Sequence, residues 1–156
     1  MKTIYLVLTF ISLSTLASCV SVNLPGSSKG LPAKNTIVAE PGSDFIKSKK
    51  PTGDQTWINK KTRNIISYIT ECGSSDPSLE SMYTEVISAL QNPEEISTKT
   101  SMFNEREALF TETKGKIDGV PVQISSLVFK KNSCNYVITL SGQTNSVEKD
   151  RKTFDS

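Results

Sequence analysis

Apolar and polar positions divide the chain into three stretches. Residues 4–16 are mostly apolar, with no period. Between residues 20 and 54 apolar side chains thin out, leaving only the short patches Thr36-Ile37-Val38-Ala39 and Phe45-Ile46. From about Thr56 onward the pattern becomes periodic. Trp57-Ile58-Asn59, a polar break over residues 60–63 and the run over residues 64–70 read as a hairpin. Ile66, Tyr68 and Thr70 take one side of its second strand, Ile65 and Ile69 the other, and the β-branched and aromatic content favours extended backbone. Leu79, Met82, Tyr83, Val86 and Leu90 then recur at helical spacing. Asp76 is placed to cap that helix, Pro77 suits its first position, and Asn92-Pro93 should stop it. Met82 and Tyr83 read as core packing before they read as the wall of a ligand pocket.

Strand patterns follow over residues 96–103, 105–117, 122–129 and 135–140. Asp118-Gly119 adopts positive φ readily and predicts a tight two-residue turn. Pro121 should begin its strand with its nitrogen facing out. Ser146 is placed to cap a final helix with Val147, Arg151 and Phe154 along one side. Strands joined by such short turns must be antiparallel. The expected fold is therefore α+β: a single domain over residues 55–156, mainly an antiparallel sheet of five to six strands covered by two helices.

The N-terminal stretch belongs to a different class. Lys2 gives a positive start, residues 4–16 are too short to span a bilayer core, and small residues follow. Residues 1–18 thus read as an export signal. The run Leu16-Ala17-Ser18-Cys19 resembles the lipobox of bacterial lipoproteins. That resemblance implies cleavage between Ser18 and Cys19, a diacylglyceryl group on the Cys19 thiol, and acylation such as palmitate on its freed amine. Cysteine suits the role because its thiolate is a ready nucleophile. Two or three acyl chains hold a protein firmly where one binds reversibly. Val20, a non-acidic residue after the cysteine, follows the family tendency for release to the outer membrane.

Residues 19–54 read as the lipidated N-terminus and a flexible tether. Residues 20–54 hold four of the seven prolines and four of the eight glycines, a composition that buries too little apolar surface to offset the entropy of ordering. As a coil such a segment averages about 30–35 Å end to end. The patches at residues 36–39 and 45–46 leave open an added strand or a docked segment.

Trp57 entering the first hairpin, the Asp76-Pro77 helix start, the Asp118-Gly119 turn and Asn132-Ser133-Cys134-Asn135-Tyr136 before the last strand are together similar to the Mog1/PsbP-like fold. Small envelope lipoproteins occur among its members. The resemblance spans residues 44–156 and implies an assisting, non-enzymatic role, with no catalytic residues to carry over.

Composition narrows the chemistry further. The chain has no histidine, which removes Ser-His-Asp and Cys-His arrangements and most zinc sites. Of 18 basic residues Lys2 leaves with the signal, so 17 face 16 acidic residues in the mature chain. That balance predicts no pull toward nucleic acid. Lys47, Lys49 and Lys50 form the densest basic run and read as a solvated segment, with attraction to anionic lipid as the alternative.

After Cys19, two cysteines remain. Cys72 and Cys134, an even pair in an oxidising compartment, are a candidate disulfide; two separate thiols are the alternative. Neither spacing nor a histidine supports a metal or redox site, so no metal and no cofactor is expected. Glu105, Glu107 and Glu112 are carboxylates near one another in sequence, but Glu105 and Glu107 read as a solvated strand face. No serine stands in a nucleophile motif, and no phosphate-binding fingerprint occurs.

The expectation is a lipid-anchored protein of the bacterial envelope, probing the periplasm from the outer membrane. Its partners would be the membrane, through the lipid, and an envelope protein. An anchored enzyme using carboxylates or serine is the first alternative. A carrier of an apolar ligand is the second, and it would need a large dry cavity between the helix over residues 78–91 and the sheet.

Overall fold

The computed structural model describes residues 31, 38–73 and 76–155. The expected signal, Ser18, Cys19 and most of the expected tether lie outside the described residues. The described chain forms β1 (Phe45–Lys47), β2 (Gln55–Asn59), β3 (Ile65–Cys72), α1 (Leu79–Ile87), β4 (Gln91–Phe103), β5 (Arg106–Ile117), β6 (Val120–Lys131) and β7 (Cys134–Gln143). It ends in a helical segment: α2 (Thr144–Val147), a 3-10 turn (Glu148–Asp150) and α3 (Arg151–Phe154).

One seven-stranded sheet has the order β1-β2-β3-β7-β6-β5-β4, with every neighbouring pair antiparallel. The chain leaves β3, crosses through α1 to the far edge, and returns by a meander until β7 closes against β3. The fold class is α+β as expected, but the sheet has seven strands rather than five to six. The extra strand is β1, inside the segment expected to be tether. Phe45 is buried at 9% exposure, and β1 pairs with β2 from Phe45↔Asn59 to Lys47↔Trp57. Three residues of unpatterned sequence become a strand because a ready edge offers partners for their backbone groups.

Three successive hairpins run through pairs of residues at positive φ: Asn104-Glu105, Asp118-Gly119 and Asn132-Ser133. Positive φ at both turn positions matches the twist of the flanking strands. Asn104-Glu105 corrects the expected strand start, for Glu105 is a turn residue and β5 begins at Arg106. The α1 cap is also corrected. Ser78, in extended conformation, accepts from Ser81 N through its hydroxyl at 3.1 Å, whereas Asp76 pairs with Lys130 at 2.8 Å. Asn92-Pro93 lies within β4, at a register shift between Gln91 and Glu94. That irregularity, a second one before Ser97, Pro93 and Lys99 interrupt the exposed outer edge of β4, which guards it against edge-to-edge pairing.

The sheet buries both faces. On one, Met82, Val86 and Leu90 of the α1 region meet Leu109, Ile124, Val128 and Val137. Met82 and Val86 are 0% and 1% exposed. Tyr83 lies beside this cluster and exchanges a 2.7 Å hydrogen bond with the Thr113 hydroxyl. Burial pushes its phenol above the ordinary value of 10.0; the Thr113 bond opposes this and Glu95 adds to it. On the other face, Trp57, Ile66, Tyr68, Leu127, Phe129, Tyr136 and Leu140 form a second cluster, closed by Val147 and Phe154 of the C-terminal segment. Phe129 and Tyr136, cross-strand neighbours, stack with centroids 4.6 Å apart. The two helical regions therefore cover opposite faces.

Candidate functional site

The C-terminal segment is fixed by one buried carboxylate. Asp150, 6% exposed, accepts from Asn59 Nδ2 at 2.9 Å, Thr62 Oγ1 at 2.5 Å and Asn64 Nδ2 at 2.7 Å. Asn59 Oδ1 in turn accepts from the backbone N–H groups of Lys61 and Thr62, which shapes the β2–β3 turn. Asn64, fully buried, donates to Ser146 O at 2.8 Å and accepts from the Ser146 hydroxyl at 2.5 Å. Ser146 thus locks the segment to the hairpin and does not cap it; the helix starts at Thr144. A buried carboxylate needs such donors, because losing water uncompensated is costly.

This anchorage lays Arg151 over β5. Its Nη1 meets Glu112 at 2.7 Å and its Nε meets Glu148 at 3.4 Å. Between the segment and β4 to β6 lies a cavity of about 360 Å³. Ser97 and Lys99 stand on its β4 side, Glu112 and Ser125 on β5 and β6, and Arg151 and Phe154 on the helical side. Two donors here lack partners: Ser125 Oγ and Arg151 Nη2, both buried. The positions of its carboxylates do not favour acid–base work. Glu112 is occupied by Arg151. Glu105 sits in a turn, and Glu107 pairs with Met102 on the face opposite Glu112. The three glutamates are not brought together.

At the other end of the sheet the candidate disulfide is formed. Cys72 and Cys134 are register partners on β3 and β7 with Cα atoms 4.0 Å apart, and their sulfurs are bonded. Cys72 exchanges both backbone hydrogen bonds with Leu31 on its outer side, leaving the side facing Cys134 as a non-hydrogen-bonded pair, where side chains approach most closely. Of the basic run, Lys47 donates to Gln55 Oε1 at 3.3 Å and lies 6.0 Å from the Trp57 ring centre; Lys49 and Lys50 are exposed. Among the described residues no group of acidic or cysteine side chains could hold a metal ion, and no helix is long and apolar enough to cross a membrane.

No protein-family model and no curated protein matches the chain. Solved structures do. The cyanobacterial PsbP protein CyanoP from Synechocystis sp. PCC 6803 superposes with a TM-score of 0.51 at 13% identity, over 72% of this chain and 78% of that one. The fold is PsbP-like. The protein of unknown function PA94 from Pseudomonas aeruginosa matches with a TM-score of 0.49 at 7% identity, over 76% of this chain and 80% of that one.

Sequence reasoning did not find the residues that organise this PsbP-like domain's C-terminal face. Asn59, Thr62 and Asn64 look like ordinary polar turn residues, and Asp150 like a solvated helix charge. Ser125 and Lys99 carry no motif. The sequence does place Arg151 and Phe154 on one helix face, Ser146 at its start and Glu112 among three candidate carboxylates.

Proposed function

We propose that the chain is a lipid-anchored protein of the bacterial cell envelope, whose PsbP-like domain works as a non-enzymatic binding or accessory module. The observation that carries this reading is the order Leu16-Ala17-Ser18-Cys19, a Pro- and Gly-rich stretch, then one domain. The lipid on Cys19 holds the protein to the membrane, and the tether lets the domain reach a periplasmic envelope partner from the outer membrane. Two features of the domain support the non-enzymatic part. Its glutamates stand apart or paired, and the unpartnered Ser125 hydroxyl beside its cavity is buried, not presented as a nucleophile.

The test is to express the full chain in a Gram-negative host and analyse the mature N-terminal peptide by mass spectrometry. The expected peptide begins at Cys19 and carries diacylglyceryl, with an acyl group on its amine. The Cys19→Ala chain should keep its leader or leave the membrane fraction. Mature protein with an unmodified thiol at Cys19 overturns the anchored reading. Site-directed photo-crosslinking from Lys99 in intact cells checks the module: one partner should appear repeatedly, and be lost when the domain is detached from the membrane.

A further inference from the structure

We propose that the disulfide end of the sheet is a docking surface for the lipid bilayer, held there by the bridge between Leu31 and Cys72. This deepens the binding-module reading and rests on the lipid at Cys19. The first observation is where the domain takes hold of its own N-terminal segment. Leu31 N–H donates to Cys72 O at 3.2 Å, and Cys72 N–H donates to Leu31 O at 2.9 Å. Further along, Val38 packs against the Trp57 cluster and Phe45 opens β1. The domain thus begins to hold the chain at Leu31, well before residue 54, where the composition alone ends the tether.

Cys19 and Leu31 are only 12 residues apart. That length of chain spans at most about 40 Å when extended and averages about 20 Å as a coil. It meets the domain at one end of the sheet. Cys72 closes β3 there, Cys134 opens β7, and the Asn104-Glu105 and Asn132-Ser133 turns lie at the same end. β5 and β6, each of 12 residues, put the Asp118-Gly119 turn roughly 40 Å away at the other end. A tether shorter on average than the sheet is long turns its own end of the domain toward the membrane.

The second observation is the surface of that end. Leu31 and Met102, each 68% exposed, are the most exposed large apolar side chains among the described residues. Leu31 flanks β3, and Met102 stands beside the Asn104-Glu105 turn on the far edge strand, so the two bracket this end of the sheet. Lys131 and Arg106 lie between them, with stems that can rest on lipid while their charges stay in water. Charge does not set the orientation. Arg106, Lys130 and Lys131 stand against Asp76, Glu105 and Glu71, which leaves the end close to neutral. The bilayer itself is the partner, with no requirement for anionic lipid. The tether makes docking intramolecular, so two apolar contacts suffice where a free domain would drift away.

The mature chain, residues 19–156, tests this on phosphatidylcholine vesicles. With Cys72 and Cys134 bonded, Cys19 is its one free thiol and couples to a maleimide-headgroup lipid. Nitroxide-headgroup lipid is the quencher, and Met102→Trp and Val120→Trp report the two ends over a constant Trp57 background. Met102→Trp should be quenched at least about twofold more than Val120→Trp, because strands of this length keep the far end out of the quencher's reach. Leu31→Pro removes the N–H that donates to Cys72 and should bring the two ends closer to equality. An insertion of about twelve Gly and Ser residues after Val20 should do the same without touching the bridge. Equal quenching at both ends, quenching that needs anionic lipid, or a difference unmoved by both Leu31→Pro and the insertion would overturn the docking. Because the lipid is attached chemically, these outcomes are separate from those of the cellular lipidation test: an unmodified Cys19 in cells removes the anchor, and equal quenching here removes the docking alone.

Discussion

Asn64 Nδ2 donates to Asp150 Oδ2 at 2.7 Å, although 86 residues separate the two along the chain. The bond ties the β2–β3 turn to the middle of the C-terminal segment, and with it the position of Arg151 beside the cavity.

Removing the carboxylate tests that tie. Asp150→Ala leaves the side-chain donors of Asn59, Thr62 and Asn64 without their shared acceptor. The expected loss is about 3 kcal/mol, the scale of a buried network broken at its centre. Urea unfolding followed by the single tryptophan, Trp57, reads it, because Trp57 is 2% exposed when folded. A loss below about 0.5 kcal/mol, the range of ordinary surface changes, would show that the network does not hold the segment.

Gly142 tests the same region by crowding. A Cβ there would lie 2.0 Å from Asn64 Oδ1 and 3.4 Å from its Cα. Asn64 cannot swing aside without breaking its bonds to Ser146 and Asp150. Gly142→Ala should therefore destabilise the domain by about 2 kcal/mol. In the Asn64→Ala background the added cost of Gly142→Ala should shrink, and a double-mutant cycle measures the coupling.

The Cys72–Cys134 bond closes a loop across a separation of 62 residues. The chain-entropy model gives about 4 kcal/mol of stabilisation for a loop of that length. Denaturant titration of the oxidised and dithiothreitol-reduced protein should show a loss of that order. Mass mapping under non-reducing conditions should find the two peptides linked.

Tyr83 predicts an alkaline limit. Its folded-state value lies above 10.0, chiefly because burial penalises the phenolate. Around pH 10 the unfolded chain gives up this proton while the folded chain keeps it. The folded state then binds more protons, so stability falls as pH rises past 10, with no contribution below about pH 9. Tyr83→Phe should remove that part of the alkaline slope. It should also cost about 1 kcal/mol at neutral pH from the lost Thr113 bond. Unfolding at pH 7 and above pH 10, compared between the two proteins, checks both parts.

What the sequence determined by itself is local. The alternation that put Ile66 and Tyr68 opposite Ile69, the helical spacing of Met82 and Val86, and the turn at Asp118-Gly119 all appear in the fold. Each follows from backbone preference and side-chain period within a few residues. β1 stayed one open reading of the Phe45-Ile46 patch because three residues carry no period, and Ser78 displaced Asp76 because a cap is chosen by backbone conformation as well as residue type. The strand order, the pairing of Cys72 with Cys134, the Asp150 network and the meeting of Ser125 with Arg151 were decided by tertiary structure alone. These relationships join positions tens of residues apart, and no local preference carries the register between distant strands. The packing of two faces against two separate helical regions supplies that register, and with it the cavity.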